Sequence, residues 1–125
     1  MDKPTVRLES GATGTKRKEA ATSSDQNVKL AIRLIEAVNE ALRGLIRYRG
    51  DLSAMAIDAL TSVDLESAGL ASSEEEMVRD TTITLPKTLH RKIKKIAEDR
   101  GRSMNIMVNS ALAHWLARKG ALKLR

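Results

Sequence analysis

Residues 28–34 read Val-Lys-Leu-Ala-Ile-Arg-Leu, and this stretch decides the fold. Its apolar side chains, at the even positions, alternate strictly with Lys29, Ala31 and Arg33. Such alternation is typical of a β-strand with one buried face, because successive side chains of a strand point to opposite sides. The sequence therefore predicts a strand over 28–34 with an apolar face toward the core and the other face toward solvent.

The period of the apolar residues lengthens directly after this strand. They recur three and four positions apart, at Val38, Leu42, Leu45 and Ile46, with Arg49 at the end of the series. This spacing predicts an amphipathic helix that ends at Gly50. Asp51 is a favourable N-cap for a second helix, whose apolar stripe comprises Leu52, Met55, Ala56, Ala59, Leu60 and Val63. Residues 28–63 thus form a unit of strand, helix and helix.

The same order of elements recurs 51 residues later. A shift of 51 pairs Ile32 with Ile83, Leu34 with Leu85, Val38 with Leu89, Leu42 with Ile93, Leu45 with Ile96, Arg49 with Arg100 and Gly50 with Gly101. One residue, Arg102, is extra in the second copy, and a shift of 52 then pairs Asp51 with Ser103 as the two expected N-caps. The repeat predicts a second unit over 80–120, in which Pro86 ends the strand, Gly101 ends one helix and Trp115 lies on the apolar stripe of the last helix.

The segments outside the two copies have a different composition. Residues 1–27 are polar and show no apolar periodicity, which predicts a disordered arm, and residues 121–125 are expected to be a short tail. Residues 64–79 are acidic and are expected to be a linker long enough to bring the second strand back beside the first.

Composition restricts the class of partner. The 125 residues hold 22 Lys and Arg against 16 Asp and Glu, so the net charge of +6 favours an anionic partner. The chain has two aromatic residues, Tyr48 and Trp115, and therefore lacks the rings on which single-stranded nucleic acids stack, so double-stranded DNA is expected. With no cysteine and no long apolar stretch, the sequence predicts a cytoplasmic protein without disulfides or a membrane partner.

One unit is too small to bury its own apolar stripes, and a lone strand leaves a row of unpaired amides. Antiparallel pairing of 28–34 with 80–86 about a pseudo-twofold axis would solve both problems. The predicted fold class is therefore mainly α with a two-stranded antiparallel β-ribbon, in which two repeats form an intramolecular pseudo-dimer. Such a chain is expected to act as a monomer.

This order of elements resembles the ribbon-helix-helix superfamily of the Arc, MetJ and CopG type over about residues 28–120. The resemblance is sharpest at Thr82-Ile83-Thr84-Leu85-Pro86 and at Gly101-Arg102-Ser103-Met104-Asn105, which is similar to a Gly-Arg-Ser-x-Asn turn common in that family. Two copies on one chain resemble the TraY-like relaxosome proteins and the VirC-type proteins of T-DNA processing. The resemblance implies sequence-specific binding of double-stranded DNA, either as an accessory factor in DNA transfer with relaxosome or other DNA-processing partners, or as a transcriptional repressor.

In this family the paired strands enter the major groove, and a two-stranded ribbon fits there sterically. The resemblance then implies that the outward residues read base edges, namely Lys29, Ala31 and Arg33 in the first strand and Thr82 and Thr84 in the second, with Asp80 at the edge. Arg33 is the strongest candidate, because its planar fork can hold guanine O6 and N7 together.

The amino ends of the two second helices are candidate phosphate sites, because their free amides and the helix dipole favour an anion. These sites comprise Leu52 and Ser53 in the first copy, and Arg102, Ser103, Met104 and Asn105 in the second.

Other functions have less support in the sequence. An antitoxin-like interaction module, whose arm 1–27 binds a protein partner, is the alternative hypothesis. An enzyme is not expected, because no constellation of nucleophile, base or paired carboxylates is recognisable. No cofactor or metal is expected, since His90 and His114 lack carboxylates at ligand spacing and are expected to be surface residues.

Overall fold

The structure is a computed structural model, and it describes residues 3–6, 8–9, 26–48, 50–72 and 74–124. Within these ranges the chain forms six strands and four helices. In chain order they are β1 Thr5–Val6, β2 Leu8–Glu9, β3 Asn27–Ile35, α1 Glu36–Arg43, α2 Asp51–Ser62, β4 Leu70–Ala71, β5 Met77–Pro86, α3 Lys87–Arg100, α4 Met104–Arg118 and β6 Lys123–Leu124.

The two long strands, β3 and β5, pair with each other in antiparallel orientation and form a ribbon. Ala31 lies opposite Thr82, at the middle of the regular pairing. These two residues are also related by the shift of 51 that aligns the two copies. The pairing predicted from the sequence is therefore confirmed, with β5 beginning three residues earlier than expected. A register shift interrupts the ladder between Leu34 and Ile35.

One face of the ribbon closes the hydrophobic core. Ile32, Leu34, Ile83 and Leu85 are almost fully buried there, as the alternation predicts. Helix α4 packs against this face and against the other three helices. Most of its residues are buried, so it forms the centre of the core. Trp115 belongs to this core, as predicted, and its indole N–H donates to Asp58 Oδ2 at 2.6 Å.

Side chains of α4 form hydrogen bonds with backbone groups on the outer edge of β3, the edge that does not pair with β5. The amide of Asn109 is fully buried; its Oδ1 accepts the Ile35 N–H at 2.9 Å, and its Nδ2 donates to the Arg33 carbonyl at 2.9 Å. Asn105 Oδ1 accepts the Arg33 N–H at 2.7 Å. Because an unpaired backbone group in the interior is costly, these two asparagines close an edge that would otherwise be open.

The second copy has the expected helix boundaries. Pro86 ends β5 and precedes α3, and Gly101 follows α3 with a φ of 67°, a left-handed conformation that glycine adopts without strain. Ser103 caps α4, because its hydroxyl accepts the Ile106 N–H at 3.2 Å.

The helix predicted to run to Gly50 is shorter in the structure. It ends at Arg43, and Leu45 is partly exposed in the loop that follows. Gly44 is a poor helix former, and the Asp51 carboxylate accepts amide protons of this loop, which offers the backbone an alternative to the helix. The predicted stripe position Arg49 lies outside the described residues.

The expected N-cap role of Asp51 is also wrong. Gly50 occupies the N-cap position with a φ of 94°, and Asp51 is the first residue of α2. Its carboxylate bonds back to the preceding loop instead of to the first turn of the helix.

The flanking segments are more ordered than their composition predicts. In the arm, β1 pairs in parallel with β6, and β2 pairs with β4. Val6 and Leu122 are buried by these contacts, so neither residues 3–6 of the expected disordered arm nor the expected tail is free of the core. Residues 10–25 of the arm lie outside the described residues.

The acidic segment 64–79 is not only a spacer. Leu65, Leu70 and Ala71 are buried, and the Ala71 N–H donates to Ser110 Oγ at 2.7 Å. The Arg100 side chain donates to the carbonyls of Leu65 and Ala68 at 2.9 and 2.6 Å. These contacts attach the segment to α3 and α4.

We expect Asn109→Ala to lower the free energy of unfolding by about 2 to 4 kcal/mol, because it leaves the Ile35 N–H and the Arg33 carbonyl without their partners. Chemical denaturation followed by circular dichroism measures the loss. The matched control is Asn105→Ala. The Arg33 N–H that Asn105 accepts belongs to an exposed residue and can bond to water, and the second bond of Asn105 goes to Met77 Sδ, a weak acceptor, so we expect a loss of about 1 kcal/mol or less. Equal losses in the two variants would contradict the role given to Asn109.

Candidate nucleic-acid interface

The face of the ribbon that points away from the core carries all five residues predicted to read bases. The register places Lys29 opposite Thr84, and Ala31 opposite Thr82. Lys29, Ala31, Arg33 and Thr82 are exposed, and Thr84 is half-buried. The structure therefore brings the five residues together on one accessible surface, to which Asp80, opposite Arg33, also belongs. This surface is here called the ribbon face and comprises Lys29, Ala31, Arg33, Asp80, Thr82 and Thr84.

Asp80 is a full member of this face, paired with Arg33 at one end of it, whereas the sequence reasoning placed it only at the edge. It lies directly opposite Arg33, and its Oδ1 accepts the Arg33 Nε–H at 2.8 Å. Both side chains remain open to solvent, with 64% of Arg33 and 79% of Asp80 exposed. The repeat alone does not predict this pair, because several registers are compatible with it; the observed register, with Ala31 opposite Thr82, sets Arg33 against Asp80.

The amino ends of α2 and α4 lie at the two outer edges of the ribbon. Ser53, in the first turn of α2, accepts the Thr84 N–H at 2.9 Å through its hydroxyl. Asn105, in the first turn of α4, accepts the Arg33 N–H at 2.7 Å. The side-chain oxygens of these two predicted phosphate ligands thus hold the ribbon, and the edge of each strand is anchored to a helix.

The other predicted phosphate residues are placed as follows. Arg102 and Ser103 are exposed, and the Ser103 hydroxyl caps α4. Leu52 and Met104 pack against the core with half-buried side chains, so their contribution to an anion site is limited to the backbone.

The loop before α2 is organised by the Asp51 carboxylate. Its Oδ2 accepts the N–H groups of Arg47 and Tyr48, each at 2.9 Å. These hydrogen bonds stabilise the ionised form, and the bond to Arg47 contributes most to lowering the pKa of Asp51 below its ordinary value. Its negative charge therefore persists beside the candidate anion site of α2.

Two residues near the ribbon face were missed by sequence reasoning. Tyr48 is largely exposed, and it lines a concavity together with Arg79, Thr82 and the amino end of α2. The sequence did contain a signal for Tyr48. It is one of only two aromatic residues in the chain, and it follows the apolar series of the first predicted helix without belonging to it. Arg79 could be found only from the register, since it precedes the predicted strand.

The remaining chemistry is sparse in the part of the chain that the structure describes. No group of three or more His, Asp or Glu side chains is placed to hold a metal ion there. His114 is not a simple surface residue, because its Nε2 lies 2.8 Å from the Gly69 carbonyl oxygen and the ring is half-buried. No helix in the described ranges combines the length and apolar character needed to cross a membrane.

Neither family models, curated proteins nor solved structures give a significant match to this chain.

The Asp51 hydrogen bonds predict a pH-dependent contribution to stability. The pKa of Asp51 is lower in the folded than in the unfolded chain, so the contribution is fully present above the unfolded value of about 4 and is lost as the pH falls through the folded value. We expect the wild type to be more stable than Asp51→Asn at neutral pH, and the difference to shrink below about pH 4. Thermal unfolding of both proteins between neutral pH and about pH 3 measures it; a difference that is constant across this range would contradict the assignment.

Proposed function

We propose that this chain is a sequence-specific double-stranded DNA-binding protein of the ribbon-helix-helix type, which reads the major groove with its ribbon face. The observation that carries the proposal is the solvent-accessible face of an antiparallel ribbon, on which Lys29, Arg33, Thr82 and Thr84 all lie. A two-stranded ribbon has the width of the major groove, and these side chains offer the donors, acceptors and methyl groups that distinguish base pairs.

Related hydrogen bonds in the two copies support a tandem arrangement. Ser53 and Asn105 are equivalent under the shift of 52, and Thr84 and Arg33 are equivalent under the shift of 51. Ser53 accepts the Thr84 N–H, and Asn105 accepts the Arg33 N–H, so each helix holds the strand of the other copy. We infer from this reciprocity that one chain supplies both halves of a pseudo-dimer.

The ends of the ribbon repeat the same relation. The N–H of Glu36, the first residue of α1, donates to the Glu76 carbonyl at 2.9 Å, and that of Lys87, the first residue of α3, donates to the Gln26 carbonyl at 2.8 Å. Glu36 and Lys87 are again 51 residues apart. Both strand-to-helix junctions are thus bonded in the same way to the residue that precedes the opposite strand.

The reading surface is chemically asymmetric. One end presents Arg33 with Asp80, and the other presents Lys29 with Thr84. A ribbon with two different ends favours a DNA site that is not palindromic.

Charge adds a general affinity for the DNA backbone. Residues 81–125 hold 11 of the 22 Lys and Arg but only two of the 16 Asp and Glu, so the net positive charge is concentrated in the second copy and its tail. Backbone attraction of this kind depends on salt and carries no sequence information, whereas the ribbon face supplies the specificity.

Two biological roles use the same complex. The protein is either an accessory factor in plasmid conjugation or T-DNA transfer or a transcriptional repressor, and footprinting on the DNA next to its own gene separates these roles by locating the site at a transfer origin or at a promoter.

The central test is the substitution Arg33→Ala. We expect it to weaken binding to the preferred duplex by about 1 to 3 kcal/mol, with little change on random duplex, because a bidentate contact to guanine is lost. Selection from a random duplex library gives the preferred site, and fluorescence anisotropy gives the affinities.

The matched control is Arg43→Ala. Arg43 is as exposed as Arg33 and also lies near a carboxylate, that of Glu40, but it belongs to α1 and not to the ribbon face. Removing the Arg43 side chain should leave the ratio of affinities for the preferred and the random duplex unchanged. Equal losses for Arg33→Ala on preferred and random duplex would reduce Arg33 to a backbone contact.

A single chain should be the binding unit. We expect light scattering to give the mass of one chain, and DNA affinity not to fall on dilution through a dissociation step. A stable two-chain species formed through the ribbon would contradict the pseudo-dimer.

A further inference from the structure

We propose that Asp80 is a positioning residue that sets the specificity of Arg33, by holding its guanidinium with the terminal nitrogens directed out of the ribbon face toward a guanine. This inference rests on the proposed function and identifies how one end of the reading surface achieves its selectivity.

The geometry of the pair carries the inference. Asp80 Oδ1 takes the proton of Arg33 Nε at 2.8 Å, and the two residues are direct partners in the antiparallel register. The backbone N–H of Arg33 donates to Asn105 Oδ1, and the backbone carbonyl of Arg33 accepts from Asn109 Nδ2. The backbone and side chain of Arg33 are therefore held by three side chains, although the Arg33 side chain remains mostly exposed.

A guanidinium can form a bidentate pair through Nε and one terminal nitrogen, or through both terminal nitrogens. Because Asp80 occupies Nε, the pair formed by Nη1 and Nη2 is left for the ligand. That pair matches O6 and N7 of guanine, whose spacing suits a planar fork. A guanidinium already held in this orientation loses less conformational entropy when the base arrives.

The Asp80 carboxylate also disfavours contact between Arg33 and a DNA phosphate. An arginine without a partner binds any phosphate, which raises affinity for all sequences alike. A fixed negative charge next to Arg33 disfavours a phosphate at this position but is compatible with the neutral edge of a base pair. Asp80 is thus expected to lower the affinity for DNA of any sequence while it increases the preference for guanine at the position read by Arg33.

The other end of the ribbon lacks this device. The residues equivalent to Arg33 and Asp80 under the shift of 51 are Thr84 and Lys29. Lys29 is a flexible point charge opposite a threonine, so it has no partner of opposite sign in the register. We therefore expect strict selection of guanine at the Arg33 end and weaker selection at the Lys29 end.

An ordinary surface ion pair would give a different result. Exposed pairs contribute little to stability and have no reason to affect base preference. Because Asp80 is exposed, Asp80→Asn should fold normally, and unchanged thermal unfolding confirms that the variants can be compared.

The experiment uses the full chain and four variants: Asp80→Asn, Arg33→Lys, the double variant, and Glu98→Gln. The Glu98→Gln control removes one negative charge from an exposed position of α3, away from the ribbon face. Affinities are measured on the preferred duplex, on the same duplex with the guanine read by Arg33 replaced, and on random duplex.

We expect Asp80→Asn to reduce discrimination between the first two duplexes by about three- to tenfold, the effect of releasing one ordered side chain. Its affinity for random duplex should rise at least as much as that of Glu98→Gln. Arg33→Lys keeps the charge but loses the fork, so in this background Asp80→Asn should no longer alter discrimination.

Two outcomes would overturn the inference while the proposed function stands. In the first, Asp80→Asn discriminates as well as the wild type. In the second, it reduces discrimination equally with arginine and with lysine at position 33, which shows that Asp80 does not act through Arg33. If the wild type selects no sequence from the library, the proposed function itself fails and the inference fails with it.

Discussion

The antiparallel pairing of β3 with β5 is the interaction on which the rest of the structure depends. The pairing gives each strand one satisfied edge and produces a two-sided ribbon. Its apolar side covers α4, and its polar side is left to solvent as a continuous surface. The two outer edges are then closed by side chains of α2 and α4, so the helices and the ribbon hold each other in place.

Much of the fold was predictable because the pattern is simple and occurs twice. The alternation at 28–34 indicated a strand, and the repeat supplied its partner, whereas the register, with Ala31 opposite Thr82, is given by the structure. The end of α1 was not predictable from periodicity alone, because Gly44 and the hydrogen bonds that Asp51 accepts from the loop outweigh the apolar spacing beyond Arg43. The order of the arm at Val6 was missed because strands of two residues leave no period to detect.

The candidate site shows a similar division. Alternation gave the five outward residues of the two strands, the resemblance to ribbon-helix-helix proteins implied their role, and the structure places them on one surface. The hydrogen bonds of Asn105 and Asn109 to β3 were out of reach, because they join positions more than 70 residues apart with no sequence signal beyond a polar residue on a helix. Sequence reasoning assigned Ser53 and Asn105 to a ligand, whereas their oxygens are used to hold the ribbon.

The separation of the two strands along the chain also governs how the protein folds. Arg33 and Asp80 are 47 positions apart, and each ladder contact of the ribbon requires closure of a long loop. The α3–α4 hairpin, by contrast, joins neighbours and can form locally, so contact order favours the helices early and the ribbon late. During synthesis the apolar side chains of the first strand therefore stay exposed to solvent until the second strand has left the ribosome. The ribbon face is among the last parts of the molecule to form.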